Sequence, residues 1–270
     1  MRGVEMVDTH APLWTGIHPS AVIHDAAELA SDVSVGPGAV IGPEVVVGAG
    51  SSIGAHAIIE RNTTVGEGCV ISHGAVLGTD PQDLKFEGED TWLVVGDRTV
   101  IREYATLNRG TRASGRTVVG ADCLIMAYTH LAHDCHLGDR VILANAVNMG
   151  GHVTIGDWAI VGGMTAIHQF VRIGAHAFVG GATRVHKDVA PYLRAAGNPM
   201  KMSGLNAVGL QRRGFSDEVR RELKRAYRLI YASELNLSQA VDRARAELEP
   251  IPEVRHFLDF FAESDRGVAL

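Results

Sequence analysis

The sequence predicts a mainly-β fold: a solenoid of hexapeptide repeats, coiled as a parallel β-helix, followed by a C-terminal α-helical domain. Three observations carry this. An aliphatic residue recurs every six positions from Ile17 to Val185, and Ile, Leu, Val or Met fills 26 of the 29 slots, all but Asp83, Glu89 and Ala113. Gly reaches 31 residues while aromatics make up only 6%, a composition for thin stacked layers rather than a globule packed around large rings. Beyond Pro191 the six-residue rhythm stops and apolar residues recur at helical spacing. Neither a period of 3.6 nor one of 2 produces a period of six.

The ladder runs from Ile17 through Ile23, Leu29, Val35 and Ile41 to Leu77, resumes at Val95, Ile101 and Leu107, and continues from Val119 to Val185. Each aliphatic side chain is expected to point inward. The next residue is often Gly, as at Gly36, Gly42, Gly48, Gly54, Gly156, Gly162 and Gly174, and is expected to make a turn that needs its freedom. The fifth position is small, as at Ala39, Ser51, Thr63, Ala75, Thr129 and Thr165, and fills the remaining interior. Three such strands close a triangular coil of 18 residues, and coils stack at the ordinary strand spacing of about 4.8 Å. Cys69, Cys123 and Cys135 all occupy the small-residue slot, so they read as core filler. Their odd number, without a C-x-x-C pair, argues against disulfides and a zinc ribbon.

Two interruptions break the ladder. Residues 78–94, rich in Pro, Gly and charge, read as an extruded loop, and 108–117 as a shorter one. In the first, Asp83 and Lys85 could offer a carboxylate and a cation to a ligand. The solenoid domain is therefore 17–190, after an N-terminal extension of residues 1–16, and the helical domain is 191–270. Gly197 to Met200 reads as a connector. Ser216 is a good N-cap for a helix reaching about Ala232, with Asp217 and Glu218 in its first turn. Ser238 is expected to open a second helix to about Glu249, and Pro252 a third to Ala262.

Composition narrows the function. Residues 1–16 lack an apolar core and do not read as a signal peptide. No run approaches the roughly 18 apolar residues of a membrane span, so a cytoplasmic protein is expected. The net charge is −6, yet Arg184 to Arg228 holds eleven Lys or Arg against four Asp or Glu. That asymmetry would steer an acidic protein partner; nucleic acid is not expected.

The chemistry concentrates between Ala127 and Gly138, where His130, His133, Asp134 and His136 displace ordinary packing residues. His133 and His152 are nineteen residues apart and so fall on adjacent coils. His168 and His186 are eighteen apart and stack. An imidazole with a carboxylate beside it is the usual kit for a general base at neutral pH. A metal reading competes: three histidines across a subunit cleft could bind zinc, as in β-helical carbonic anhydrases. The adjacent Asp134 suits a base better, and a zinc site would leave the loop and helical cap without purpose.

The hexapeptide pattern resembles that of the hexapeptide-repeat acyltransferases, which implies a left-handed coil, against the usual right-handed crossover, and a homotrimer with sites in the clefts between prisms. The segments Gln82–Phe86, His130–Cys135, Gly162–Phe170 and Gly209–Ser216 are similar to those of the acyl-carrier-protein:UDP-N-acetylglucosamine O-acyltransferases, which begin lipid A synthesis. The likeness covers about Ile17 to Gly267. The related N-acyltransferases carry an N-terminal uridine-binding domain for which there is no room before Ile17.

The resemblance implies the following roles. His133 is the general base toward the sugar 3-hydroxyl, Asp134 orients it, and the Gly151 N–H is the oxyanion donor. Asp83, Lys85, His130, His152, His168 and Gln169 bind UDP-N-acetylglucosamine. Asn206, Arg212 and Arg213 hold the donor arm or nucleotide phosphates, acyl carrier protein docks on the basic 184–228 region, and Gly181 leaves room for a long acyl chain. No metal is implied, and no cofactor beyond the phosphopantetheine arm that arrives on the carrier. Where the family commonly has His-Arg-Gly, this chain has Asn108-Arg109-Gly110, which leaves a 3-amino sugar open as an alternative acceptor.

Overall fold

The computed structural model describes residues 13–270; most of the N-terminal extension, residues 1–12, lies outside the described residues. From Ile17 the chain winds as a left-handed parallel β-helix whose short strands sort into three sheets of nine, eight and ten strands. Every third strand returns to the same sheet, in register: Leu77, Leu107, Leu131, Met149, Ile167 and Val185 lie in line down one face. These ladder residues point into the prism and are buried, as are the small residues of the fifth slot. Cys69, Cys123 and Cys135 are free thiols inside it, and burial pushes the Cys123 thiol up to about 11 and that of Cys135 to about 12. They stay protonated and act as filler.

The turns differ from expectation in one respect. Gly36, Gly42, Gly48, Gly54, Gly156, Gly162 and Gly174, which follow aliphatic residues, do not supply the left-handed backbone. They allow the coils to approach: a Cβ on Gly42 would overlap the Glu60 carbonyl, and one on Gly48 would stand 2.7 Å from the Gly66 carbonyl. The left-handed residue comes two places later and is usually not glycine, as at Tyr104 (φ 57°), Asp134 (59°), His152 (61°) and Phe170 (64°). Such a conformation costs an L-residue about 1–2 kcal/mol. Part of that cost is offset because these side chains project together from a corner and stack between coils. Tyr104 lies on Tyr128, His152 on Phe170 and Trp158 on His176.

Three corners therefore run the length of the prism. The first carries His133, the second Trp158 and His176, the third Tyr104, Tyr128 and Gly181. Both interruptions of the ladder, 80–91 and 109–115, emerge at the first corner. The third sheet continues through Leu193–Ala196, parallel to Phe178–Val179, and turns back as Lys201–Leu205. Four helices follow: α1 (Ala207–Arg212), α2 (Asp217–Tyr231), α3 (Leu237–Glu247) and α4 (Pro252–Ala262). Ser216 caps α2 and Pro252 opens α4, as expected; α3 starts earlier, from Asn236 in a capping box with Gln239 and not from Ser238. Leu223, Ala226 and Ile230 of α2 pack with Phe257 and Phe261 of α4 over Ala190, Tyr192 and Leu193 at the solenoid's end.

Candidate active site

His133 and Asp134 sit at the first corner, directly above Gly151 and His152 of the next coil, with His168 to Phe170 one coil further. His152 N–H donates to His133 O at 3.0 Å and Phe170 N–H to Gly151 O at 3.0 Å. The Asp134 carboxylate is fully enclosed and accepts four hydrogen bonds. Thr111 donates twice, from its N–H to Oδ1 at 2.9 Å and from Oγ1 to Oδ2 at 2.7 Å. Ser114 Oγ donates to Oδ1, and His133 Nδ1 lies 2.8 Å from Oδ2. Burial alone would raise its pKa; the donors from Ser114, His133 and Thr111 outweigh that and hold it down at about 2. A permanent carboxylate can only accept, so His133 Nδ1 carries the proton and Nε2 keeps its lone pair. The partly covered imidazole thus keeps Nε2 as a proton acceptor.

Gly151 makes this placement sterically feasible. A Cβ there would lie 2.5 Å from His133 Cε1 and 2.7 Å from Nε2. The Gly151 N–H has no hydrogen-bond acceptor among the described residues, so the residue packed against the imidazole carries a donor without a protein partner. His152 meets His133 edge-on with ring centres 5.1 Å apart and stacks on Phe170 at 4.4 Å. Burial keeps His152 below its ordinary pKa against the pull of Asp134 and Asp83. His130 is likewise lowered by burial, its Nδ1 2.7 Å from Thr106 Oγ1.

The ligand atoms of His133, Asp134 and His152 lie within 4.8 Å of one another, a spacing open to a metal ion. The geometry favours a base, because all four acceptor directions of the carboxylate are engaged by protein donors and a cation would have to displace one.

The 80–91 loop is rooted beside this site by Arg109, which is buried and donates from Nε to Gly78 O and from Nη1 to Thr91 O, each at 3.1 Å, and pairs with Asp80. Asn108 Nδ2 donates to Thr79 Oγ1 at 2.7 Å and to Asp80 O at 2.9 Å. Asp83 acts electrostatically on His152, and its Oδ1 accepts the Lys85 N–H at 3.0 Å. His168 and Gln169 are exposed on the same corner. The structure does not bring every expected residue here. Asn206 sits at the second corner, where it caps α1 and its Nδ2 donates to His176 O at 2.9 Å. Arg213 lies over Trp158 with Nη1 3.3 Å from His176 Nδ1, Arg212 is exposed, and Gly181 is on the third corner. Sequence reasoning named neither Thr111 nor Ser114; a run of hydroxyl and Gly residues in the second interruption was the available signal.

Two family models match: "Udp N-acetylglucosamine O-acyltransferase; Domain 2" over residues 188–269 and "Bacterial transferase hexapeptide (six repeats)" over 116–151. A Thiobacillus denitrificans protein named acyl-[acyl-carrier-protein]–UDP-N-acetylglucosamine O-acyltransferase is 47% identical over 253 residues, 93% of this chain and 98% of that one. One of the same name from Alkalilimnicola ehrlichii is 48% identical over 94% of this chain and 99% of its own. Among solved structures, LpxA from Acinetobacter baumannii superposes with TM-score 0.92 at 42% identity, covering 94% of this chain and 99% of that one. LpxA from Bacteroides fragilis gives 0.93 at 41%, covering 94% and 100%. At this identity, over nearly the whole of each chain, the chain belongs to the acyl-[acyl-carrier-protein]–UDP-N-acetylglucosamine O-acyltransferase family.

Proposed function

We propose that this protein transfers a 3-hydroxyacyl chain from acyl carrier protein to the 3-hydroxyl of UDP-N-acetylglucosamine, the first step of lipid A biosynthesis. The observation that carries the mechanism is the His133 imidazole, held at Nδ1 by Asp134 and packed on its Nε2 side against Gly151. Nε2 takes the proton of the sugar 3-hydroxyl as its oxygen attacks the thioester carbonyl carbon. The negative charge that develops on the carbonyl oxygen is met by the Gly151 N–H. Collapse breaks the C–S bond, and the imidazolium returns its proton to the departing phosphopantetheine sulfur. Asp134 stabilises the imidazolium without taking its proton. The residues here need no metal and no cofactor beyond the arm the carrier brings.

His130, His152, His168 and Gln169 line the acceptor side, with Asp83 and Lys85 on the overhanging loop. Asn108 spends both amide hydrogens rooting that loop, so it serves loop anchorage, and the hydroxyl sugar is supported by the O-acyltransferase relatives. Asn206, Arg212, Arg213 and Gly181 stand on other corners, so their donor roles are met by a neighbouring subunit in a homotrimer. The exposed cations Arg221, Lys224 and Arg228 on α2 fit the acidic carrier. No helix among the described residues is long and apolar enough to cross a membrane, and the protein acts in the cytoplasm, where its two substrates are made.

The test is His133→Ala, assayed with a 3-hydroxyacyl carrier protein and with both the 3-hydroxyl and 3-amino sugar nucleotides, the product identified by mass spectrometry. Turnover falls by about 10² to 10⁴ with the fold intact and the wild-type product an ester. Near-normal turnover in the variant, or an amide product only, overturns the reading.

A further inference from the structure

The end of the chain comes back to the histidine corner. After α4 it runs along the last coil and is pinned there by Asp188, which is completely buried. Ser264 Oγ donates to Asp188 Oδ2 at 2.7 Å, Asp188 N–H to Gly267 O at 3.1 Å and Ala269 N–H to Asp188 O at 2.9 Å. Tyr231 OH donates to Ala269 O at 3.1 Å, and Val268 and Ala269 are buried. Between these anchors Arg266 turns onto the first corner. Its Nε donates to His186 O at 2.9 Å, and its Nη2 lies 2.9 Å from His168 Nδ1.

His168 Nδ1 has a second neighbour, the carbonyl oxygen of Gln169 at 3.1 Å. The two make opposite demands. A guanidinium can only donate, so Arg266 requires a lone pair on Nδ1; a carbonyl oxygen can only accept, so Gln169 requires an N–H. A neutral imidazole satisfies one of them. The guanidinium is nearer and charged, so its bond is the stronger, and the ring proton goes to Nε2. Without Arg266 only the Gln169 carbonyl remains; the proton moves to Nδ1 and Nε2 becomes an acceptor. The outward nitrogen of His168 thus changes from hydrogen-bond donor to lone pair according to one residue of the C-terminal tail.

We propose that Arg266 is a positioning residue that holds His168 in the Nε2–H form, so that His168 offers a donor to an acceptor oxygen of the sugar nucleotide. This rests on the acyltransferase reading above, in which His168 binds that substrate. Through this one guanidinium the helical domain reaches the acceptor site. The reversed tautomer would set a lone pair against a substrate oxygen, which removes a hydrogen bond and adds repulsion.

The experiment measures kcat and both KM values for wild type, Arg266→Ala, Arg266→Lys, His168→Ala and the Arg266→Ala/His168→Ala double variant, with Tm for each. Arg266→Ala raises KM for UDP-N-acetylglucosamine by about tenfold, the worth of one hydrogen bond lost and left unsatisfied, and leaves kcat and the KM for acyl carrier protein within about twofold. Arg266→Lys keeps an obligate donor and recovers most of the affinity. In the His168→Ala background the loss of Arg266 adds little. An unchanged KM in Arg266→Ala, or its full effect persisting without His168, overturns the proposal, the latter marking a purely structural tail. Ring ¹⁵N shifts of His168 read the tautomer apart from turnover: Nδ1 unprotonated in wild type and protonated in Arg266→Ala. The same protonation state in both proteins sinks the proposal, whereas a wild-type enzyme inactive on these substrates with the shift change present sinks only the acyltransferase reading.

Discussion

At the scale of the residue, Asp134 joins the backbone's constraint to the chemistry. It occupies a left-handed turn position (φ 59°), which Asp tolerates better than most residues, and there its carboxylate turns into the shelter of Thr111 and Ser114. The four donors hold the folded-state pKa at about 2, below the roughly 3.9 of an unfolded chain. A depressed acid pKa contributes stability that is complete above the unfolded value and is lost as pH falls through the folded one. Asp134→Asn keeps the shape and the turn but removes the charge. Its Tm should lie below that of wild type at neutral pH, with the gap narrowing as pH is lowered below about 4; a gap that stays constant or widens in acid would refute the charge's contribution. The adjacency of His133 and Asp134 made the pair legible in the sequence. Their cradle was not, because Thr111 and Ser114 lie more than a coil away in a segment that has left the repeat, where spacing carries no positional information.

At the scale of the element, a loop that leaves a regular scaffold has to be tied down to be useful, and the tie here is Arg109. Its buried guanidinium meets two backbone carbonyls and Asp80 at the base of the segment that carries Asp83 and Lys85. Arg109→Met keeps the stem's length but strands those acceptors, at a cost of about 2–4 kcal/mol. The expected outcome is faster tryptic cleavage at Lys85 and a raised KM for the sugar nucleotide, with the β-helix circular dichroism unchanged; a loop equally resistant in variant and wild type would refute the role. The ladder itself could be read because its period is enforced by burial at every coil. Gly could be recognised by position but not by purpose, since close approach between coils and left-handed turning leave the same residue in the sequence. The helices were legible where a cap announced them, as at Ser216 and Pro252. Short α1 was not, because its cap Asn206 also donates to His176, a contact between distant segments.

At the scale of the whole molecule, the proposed site is divided. The base, its carboxylate and the loop belong to one corner of the prism, while Arg213 lies at another, over Trp158. If both sets serve one reaction, each chain supplies half of a site and receives the other half from a neighbour, which a closed ring of three copies provides. That arrangement has a consequence a self-contained site lacks. Take His133→Ala and Arg213→Ala, each deficient alone, and dissociate and reassemble them as an equal mixture. A site between two chains is whole when the chain giving His133 and the chain giving Arg213 are each intact in that part. Random assembly makes about one site in four whole. Activity should therefore rise from near the background of either parent to about a quarter of that of wild type treated in the same way. A site complete within one chain leaves no mixture with both residues in one place, so activity would stay at the average of the two parents, and that result would refute the shared cleft.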